Sequence, residues 1–188
     1  MNRPLLGSGS VRIIGGSLRR SRLLVPESPG LRPSPDRVRE TLFNWLAPVL
    51  PGSRCLDLFA GTGALGIEAV SRGAGEAIFL EHNARLVTAL RKNLGRLHIA
   101  AHAQVIHTDA LDWLQCPSRR FDVVFVDPPY ASALWSRVLQ CLSPWLAVGA
   151  RVYVEWPKQL DLTIPYGMKP LRQVHAGEVL LQSTQAPE

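Results

Sequence analysis

From Arg54 to Glu155 the chain alternates short apolar runs with amphipathic stretches, and this order limits the folds open to it more than any other feature. The strand-like runs are 54–59, 77–81, 103–107, 121–126 and 149–155; the helix-like stretches between them are 64–72, 83–97, 109–115 and 134–146. Strands joined through helices lie parallel, because each crossover returns the chain to the same end of the sheet. A parallel sheet needs cover on both faces, and near-continuous runs such as Phe121-Asp122-Val123-Val124-Phe125-Val126 are what its strands look like. Leu171 to Val174 and Glu178 to Gln182, around His175-Ala176-Gly177, read as a closing hairpin. The expectation is an α/β, Rossmann-like fold with a seven-stranded, mostly parallel sheet.

The first of these units carries a glycine loop. Arg54-Cys55-Leu56-Asp57-Leu58-Phe59 runs into Ala60-Gly61-Thr62-Gly63-Ala64-Leu65-Gly66 and then into a helical pattern. Gly61, Gly63 and Gly66 satisfy G-x-G-x-x-G in the strand-turn-helix setting that gives the motif meaning, and Glu81 closes the next strand where a ribose-binding carboxylate is expected. A dinucleotide or S-adenosylmethionine could use such a loop, and charge separates them. Asp57, Glu81, Asp109 and Asp127 each follow a strand, so four carboxylates line one crevice. They repel a diphosphate and attract a sulfonium with a free ammonium, which favours S-adenosylmethionine. Asp109 also has a structural reading, as N-cap of the helix that follows it. The candidates for holding the cofactor are Asp57, Gly61, Thr62, Gly63, Glu81, His82, Asp109 and Ala110.

Asp127-Pro128-Pro129-Tyr130 stands at the end of the most apolar strand. An exocyclic amine of a nucleobase is a poor nucleophile because its lone pair is delocalised into the ring. A carboxylate and a backbone carbonyl that hold its N–H bonds let that pair localise. Asp127 offers the carboxylate and Pro128 the carbonyl, two prolines fix φ, and Tyr130 offers a flat surface for the base. Alone, the segment could equally be a strand-terminating turn. Asp127, Pro128, Pro129 and Tyr130 are the catalytic candidates. Trp135, a little farther on, could border the substrate entrance, whereas Trp113, Trp145 and Trp156 read as core or sheet cover.

Positive charge is concentrated near the amino terminus. Residues 1–40 hold eight arginines against three acids, a net of +5, out of +6 for the 188-residue chain. Arginine's planar fork suits phosphate, so this arm reads as a nucleic-acid footprint, with a solubilising tail as the bland alternative. Its candidates are Arg12, Arg19, Arg20, Arg22, Arg37 and Arg39; Arg119, Arg120 and Arg137 are reserves near the catalytic mouth. Val11-Arg12-Ile13-Ile14 and Arg22-Leu23-Leu24-Val25 flank Gly15-Gly16-Ser17 as a hairpin. Ser34 is placed to cap a helix with Pro35 at its first position and Val38, Leu42, Trp45 and Leu46 on its buried side.

No segment approaches the ~18 apolar residues of a membrane span, and residues 1–10 lack a signal core. Cys55, Cys116 and Cys141 have no metal spacing and fit reduced thiols in a cytoplasmic protein; His98, His102 and His107 do not share a face, so no metal is expected.

Asp57-Leu-Phe-Ala-Gly-Thr-Gly-Ala-Leu-Gly-Ile-Glu-Ala69, Asp127-Pro-Pro-Tyr130 and Leu31-Arg-Pro-Ser-Pro-Asp-Arg-Val-Arg-Glu-Thr-Leu-Phe-Asn44 together resemble the RsmD type of ribosomal RNA guanine-N2 methyltransferase, from roughly Val11 to Leu181. The first two motifs mark an amino methyltransferase and the third narrows the family; Ser34 stands where members usually carry threonine. The resemblance implies a class I S-adenosylmethionine-dependent fold. Residues 1–50 would be an amino-terminal basic arm, hairpin and helix extending the same domain, and residues 51–184 the methyltransferase core. It implies methylation of a guanine exocyclic N2 amine in 16S ribosomal RNA, presented free, in the small subunit or in an assembly intermediate, by a monomer in the cytoplasm. The alternatives are a DNA amino methyltransferase, for which the chain has no separate target-recognition domain, and a non-catalytic RNA-binding module, which would gain nothing from Asp127 and Tyr130.

Overall fold

The computed structural model describes residues 10–26, 35–129, 134–157, 159, 161, 163–173 and 178–184. Strands β1 (Ser10–Arg12) and β2 (Arg22–Leu24) form a short antiparallel ribbon, followed by helix α1 (Asp36–Leu46). The alternating unit then runs β3 (Arg54–Asp57), α2 (Ala64–Ser71), β4 (Glu76–Glu81), α3 (Ala84–Arg96), β5 (Ala103–His107), α4 (Ala110–Leu114), β6 (Phe121–Val126), α5 (Trp135–Cys141) and β7 (Leu146–Glu155). Strands β8 (Met168–Gln173) and β9 (Glu178–Ser183) close it.

These make a seven-stranded sheet in the order β5-β4-β3-β6-β7-β9-β8, with β3 to β7 parallel and β9 antiparallel to both neighbours. The chain builds outward from β3 to β5, then returns to place β6 on the other side of β3. At that reversal the flanking helices lie on opposite faces, which opens a crevice at the carboxyl ends of β3 and β6. Alternation sorts the core. Cys55, Phe79, Val123, Phe125 and Tyr153 pack with α1, α2, α3 and the amino-terminal ribbon, whereas Leu56, Ile78, Leu80, Val124, Val126, Val152 and Val154 pack with α4 and α5. Trp145 lies in this second layer with its ring stacked 4.0 Å from that of Trp113.

Several element boundaries differ from those expected. Helix α1 starts at Asp36 with Pro35 as N-cap, one residue later than expected; Ser34 lies outside the described residues. Helix α5 ends at Cys141, not 146, because Pro144 has no amide to donate to the carbonyl four residues back and its ring clashes there. A 3-10 turn, Ser143–Trp145, takes over and β7 begins at once. Strand β8 begins at Met168, three residues early: Pro170 hides it from a propensity reading, yet β8 is an edge strand with an irregularity between Pro170 and Arg172, where proline is tolerated.

The ribbon is fastened to α2 by a buried carboxylate. Glu68 is fully buried and accepts the amides of Ile14 at 2.8 Å and Gly15 at 2.7 Å, together with Nε of Arg72 at 2.8 Å. Ser71 adds its hydroxyl, which donates to the Gly15 carbonyl at 2.5 Å and accepts the Leu18 amide at 2.9 Å. Asn93 of α3 accepts the Leu24 amide and donates to the Leu24 carbonyl, both at 3.0 Å. Glu68→Ala removes the acceptor of two part-buried amides and of the part-buried Arg72 guanidinium, so urea unfolding should show a loss of about 3–5 kcal/mol. A loss under about 1 kcal/mol would mean that water satisfies these groups.

Candidate active site

Asp57, the last residue of β3, is 3% exposed and alternates to the α2–α3 face of the sheet. Its Oδ2 accepts the Gly66 amide at 3.2 Å, and the Phe59 amide also bonds to the carboxylate. The need for this contact comes from the helix start: the N-cap of α2 is Gly63, which has no side chain to satisfy the first-turn amides. Thr62 contributes its Oγ1, an acceptor for the Ala64 amide at 3.3 Å. Gly61 and Gly63 have φ of 51° and 77°, and a Cβ on Gly66 would lie 2.3 Å from the Phe79 ring, so two glycines shape the turn and the third lets α2 approach β4.

Glu81 ends β4 and is 6% exposed. Its two oxygens accept Gly61 and Asn83 amides, at 2.9 and 2.8 Å, which ties the glycine loop to the start of α3. A carboxylate has about four lone-pair sites, so each oxygen keeps one acceptor for a vicinal diol. His82 is largely exposed, with Nδ1 3.3 Å from Glu81, and its carbonyl meets Nε2 of His107 at 2.9 Å. Burial pushes the Asp57 carboxyl up to about 7; the Gly66 and Phe59 amides act against this and the charge of Glu81 adds to it.

Beyond β5, Asp109 is the N-cap of α4, its Oδ1 accepting the amides of Leu111 at 2.8 Å and Asp112 at 3.3 Å. Its capping role is thus met in the structure, while Ala110 is buried as the first residue of that helix. Asp127 follows β6 directly, half-buried, two residues beyond the registered pair Asp57↔Phe125; Pro128 is buried and Pro129 exposed. Tyr130 lies outside the described residues. Trp135 does not border an entrance: it is 1% exposed and its indole donates to the Glu155 carbonyl at 2.6 Å, because the first turn of α5 points into the core. Glu155 is a residue that the sequence reading misses. It ends β7 as Glu81 ends β4, and its signal is a lone acid closing the apolar run Val152-Tyr153-Val154.

On the arm, Arg12, Arg19, Arg20, Arg22 and Arg37 are exposed. Arg12 and Arg22 stand directly opposite each other in the ribbon, and the Arg12 guanidinium donates to Asp36 at 3.0 Å. Arg39 is corrected from a phosphate contact to an internal residue. It is 1% exposed and donates through Nη2 to Asp36 at 2.7 Å and to the Arg12 carbonyl at 2.9 Å, 3.9 Å from Glu68. A cavity of about 370 Å³ lies between Arg12, Arg22, Asp36 and Arg39, on the arm and not over the crevice. Arg119 is not near the mouth either: it pairs with Glu76 at the amino end of β4, and Arg120 precedes β6 at that same end. Arg137 lies exposed in the first turn of α5. All three cysteines are free; among the described residues no cluster of three or more His, Cys, Asp or Glu side chains could hold a metal, and no helix is long and apolar enough to cross a membrane.

Comparison with known proteins gives a consistent set of relatives. The profile of the family described as conserved hypothetical protein 95 matches residues 11–185. The chain is 46% identical over 176 residues to ribosomal RNA small subunit methyltransferase D of Escherichia coli strain K12, covering 92% of this chain and 88% of the relative. It is 44% identical over 176 residues to the Haemophilus influenzae protein of the same name, covering 91% of each. The solved structure of Escherichia coli yhhF superposes with a TM-score of 0.85 at 42% identity, covering 95% of this chain and all of that one.

The raised Asp57 carboxyl makes stability depend on pH in a definite direction. Between 3.8, its ordinary value, and about 7 the folded protein holds a proton that the unfolded chain has released. That contribution is complete below 3.8 and lost as pH rises through about 7. Asp57→Asn keeps an acceptor for Gly66 without the titration, so its stability relative to the parent should improve steadily from pH ~4 to ~8 in urea unfolding. A constant difference across that range would show that Asp57 ionises normally.

Proposed function

The chain belongs to the conserved hypothetical protein 95 family, alongside relatives named ribosomal RNA small subunit methyltransferase D, and on that premise we propose that it methylates the exocyclic N2 of a guanine in 16S ribosomal RNA. The protein is an S-adenosylmethionine-dependent ribosomal RNA methyltransferase. The observation that carries the finer reading is the emergence of Asp127-Pro128-Pro129 beside the crevice of Asp57 and Glu81, which puts acceptors for an amine next to a pocket for a cation. Small-subunit RNA, free or in the subunit or its assembly intermediate, is the substrate of a monomer acting in the cytoplasm, where ribosomal RNA is found.

The residues fit the cofactor. Glu81 keeps acceptors for ribose hydroxyls, the Gly61-Thr62-Gly63 backbone lets a ligand come close, and Asp57 regains its charge beside a cation. Asp109, Ala110 and His82 border the same ends and complete the adenosyl site. S-adenosylmethionine supplies an electrophilic methyl group on a sulfonium. The chain's own residues do the rest. Asp127 and the Pro128 carbonyl take the two N–H bonds of the amine and turn its lone pair outward, and Tyr130 stacks on the base. As nitrogen gains a fourth bond its proton becomes acidic, and in this reading Asp127 takes it. The base must leave any helix first, since its amine cannot be reached within a stack. The exposed arginines of residues 1–50 hold the phosphates, as an extension of the domain that residues 51–184 complete.

Mass mapping of ribosomal RNA nucleosides from cells with and without this protein tests the reading: one N2-methylguanosine should vanish from 16S RNA, and an unchanged complement would end it. Asp127→Ala should bind S-adenosylhomocysteine normally yet transfer methyl at least about 100-fold more slowly in single turnover; an unchanged rate removes Asp127 from the mechanism. Replacing Arg12, Arg19, Arg20 and Arg22 with glutamine should weaken RNA binding and lower its log–log salt slope by about 0.7 for each phosphate of single-stranded RNA that the arm ceases to neutralise. The same affinity and slope would reduce the arm to a solubilising tail.

A further inference from the structure

Glu155 lies at the carboxyl end of β7 and belongs to no part of the mechanism above. The last registered pair of β6 and β7 is Val126↔Val154, so Asp127 and Glu155 come next, on strands about 5 Å apart. Tyr153 and Phe125 share one face of the sheet with α2 and α3; two residues after Tyr153, Glu155 returns to that face. The cofactor site lies over β3 and β4, on the other side of Asp127. A base that presents its amine to Asp127 therefore arrives over β6 and β7, beside Glu155. Both ends of this residue are held. The Tyr153 hydroxyl, on a side chain 1% exposed, donates to its Oε2 at 3.2 Å, and the Trp135 indole donates to its carbonyl at 2.6 Å. A buried tyrosine thus fixes the carboxylate and a buried tryptophan the backbone of this strand end, the arrangement expected of a group that must meet a ligand in one geometry.

Guanine shows two kinds of N–H on neighbouring positions of its Watson–Crick edge, the N2 amine and N1–H. A carboxylate beside Asp127 can accept N1–H. Resting on the guanine-N2 reading above, we propose that Glu155 accepts the N1–H of the target guanine and so sets the enzyme's preference for guanine over purines that carry a lone pair there. A base with an acceptor at N1 would turn its lone pair toward the carboxylate and be repelled. Glu155 acts on the substrate by recognition; Asp127 acts on the reacting amine.

2-Aminopurine separates the two roles, because it keeps the 2-amino group but has a bare N1. Small-subunit RNA is assembled with either guanine or 2-aminopurine at the guanosine located by mass mapping, and methyl transfer from labelled S-adenosylmethionine is followed in single turnover with the parent and Glu155→Gln enzymes. The parent should favour guanine by about 10- to 100-fold, the range of one hydrogen bond to a charged group. In Glu155→Gln the carboxamide can turn its NH2 toward the bare N1, so the ratio should fall at least about 10-fold. S-adenosylhomocysteine affinity and the urea midpoint should stay at the parent's values. A slower enzyme with the parent's ratio would make Glu155 merely structural and overturn the proposal while leaving the guanine-N2 reading standing. A parent that transfers no methyl to the mapped guanosine would overturn both.

Discussion

The Gly66 amide in the first turn of α2 finds its acceptor in Asp57, and most of the site follows from that contact. A helix that begins at Gly63 has no capping side chain, and one that is buried over all eight residues has no water to turn to. The carboxylate of the preceding strand must fill the gap, so it is drawn out of solvent and its acidity weakened. Glu81 repeats the device one strand away, with Gly61 and Asn83 in place of Gly66. In the proposed site the structural duty and the ligand-binding duty of these acids share one geometry: each holds the glycine loop with one set of lone pairs and faces the crevice with what remains.

The middle of the same helix fixes the arm. Glu68 takes the Ile14 and Gly15 amides and the Arg72 side chain, so the ribbon is bonded to the element that opens the cofactor loop and not to the sheet. Arg39 belongs to this buried network through Asp36, the Arg12 carbonyl and the nearby Glu68. Desolvation raises the Asp36 carboxyl, but the guanidinium groups of Arg39 and Arg12 outweigh it and hold the group below its ordinary range. An arm anchored this way has a fixed orientation relative to the crevice, which a flexible basic tail would lack.

Much of this is legible in the sequence because period and punctuation agree. Strand runs with Val, Ile and Phe, glycines at strand-to-helix turns and acids at strand ends all point one way; the sheet follows from them, and Asp57, Glu81 and Asp109 stand at the ends of their strands. What is not legible depends on the third dimension. Arg39 looks like its neighbours in a basic run, and only helix phase puts it inside, beside acids 3 and 29 positions away. Arg119 lies close in sequence to Asp127, yet six strand residues carry the chain across the whole sheet between them. Glu155 escapes a reading of β7 that follows its apolar face alone.

The division of charge explains how one small domain can handle a polyanion with an acidic site. Asp57, Glu81, Asp127 and Glu155 stand at neighbouring strand ends, and a phosphate entering among them would meet low-dielectric repulsion on every side. Among the described residues of the arm, five exposed arginines offer the opposite field on a separate surface. An RNA strand lowers its energy by keeping its backbone on the arginines and away from the crevice. A nucleobase has no net charge and is rich in N–H donors along the guanine edge, so it is the part of the chain that the acids admit. On the proposed function, the same field that attracts a sulfonium cofactor would favour the everted base over the stacked one, so that the acidic crevice would contribute to base selection before any single hydrogen bond is made.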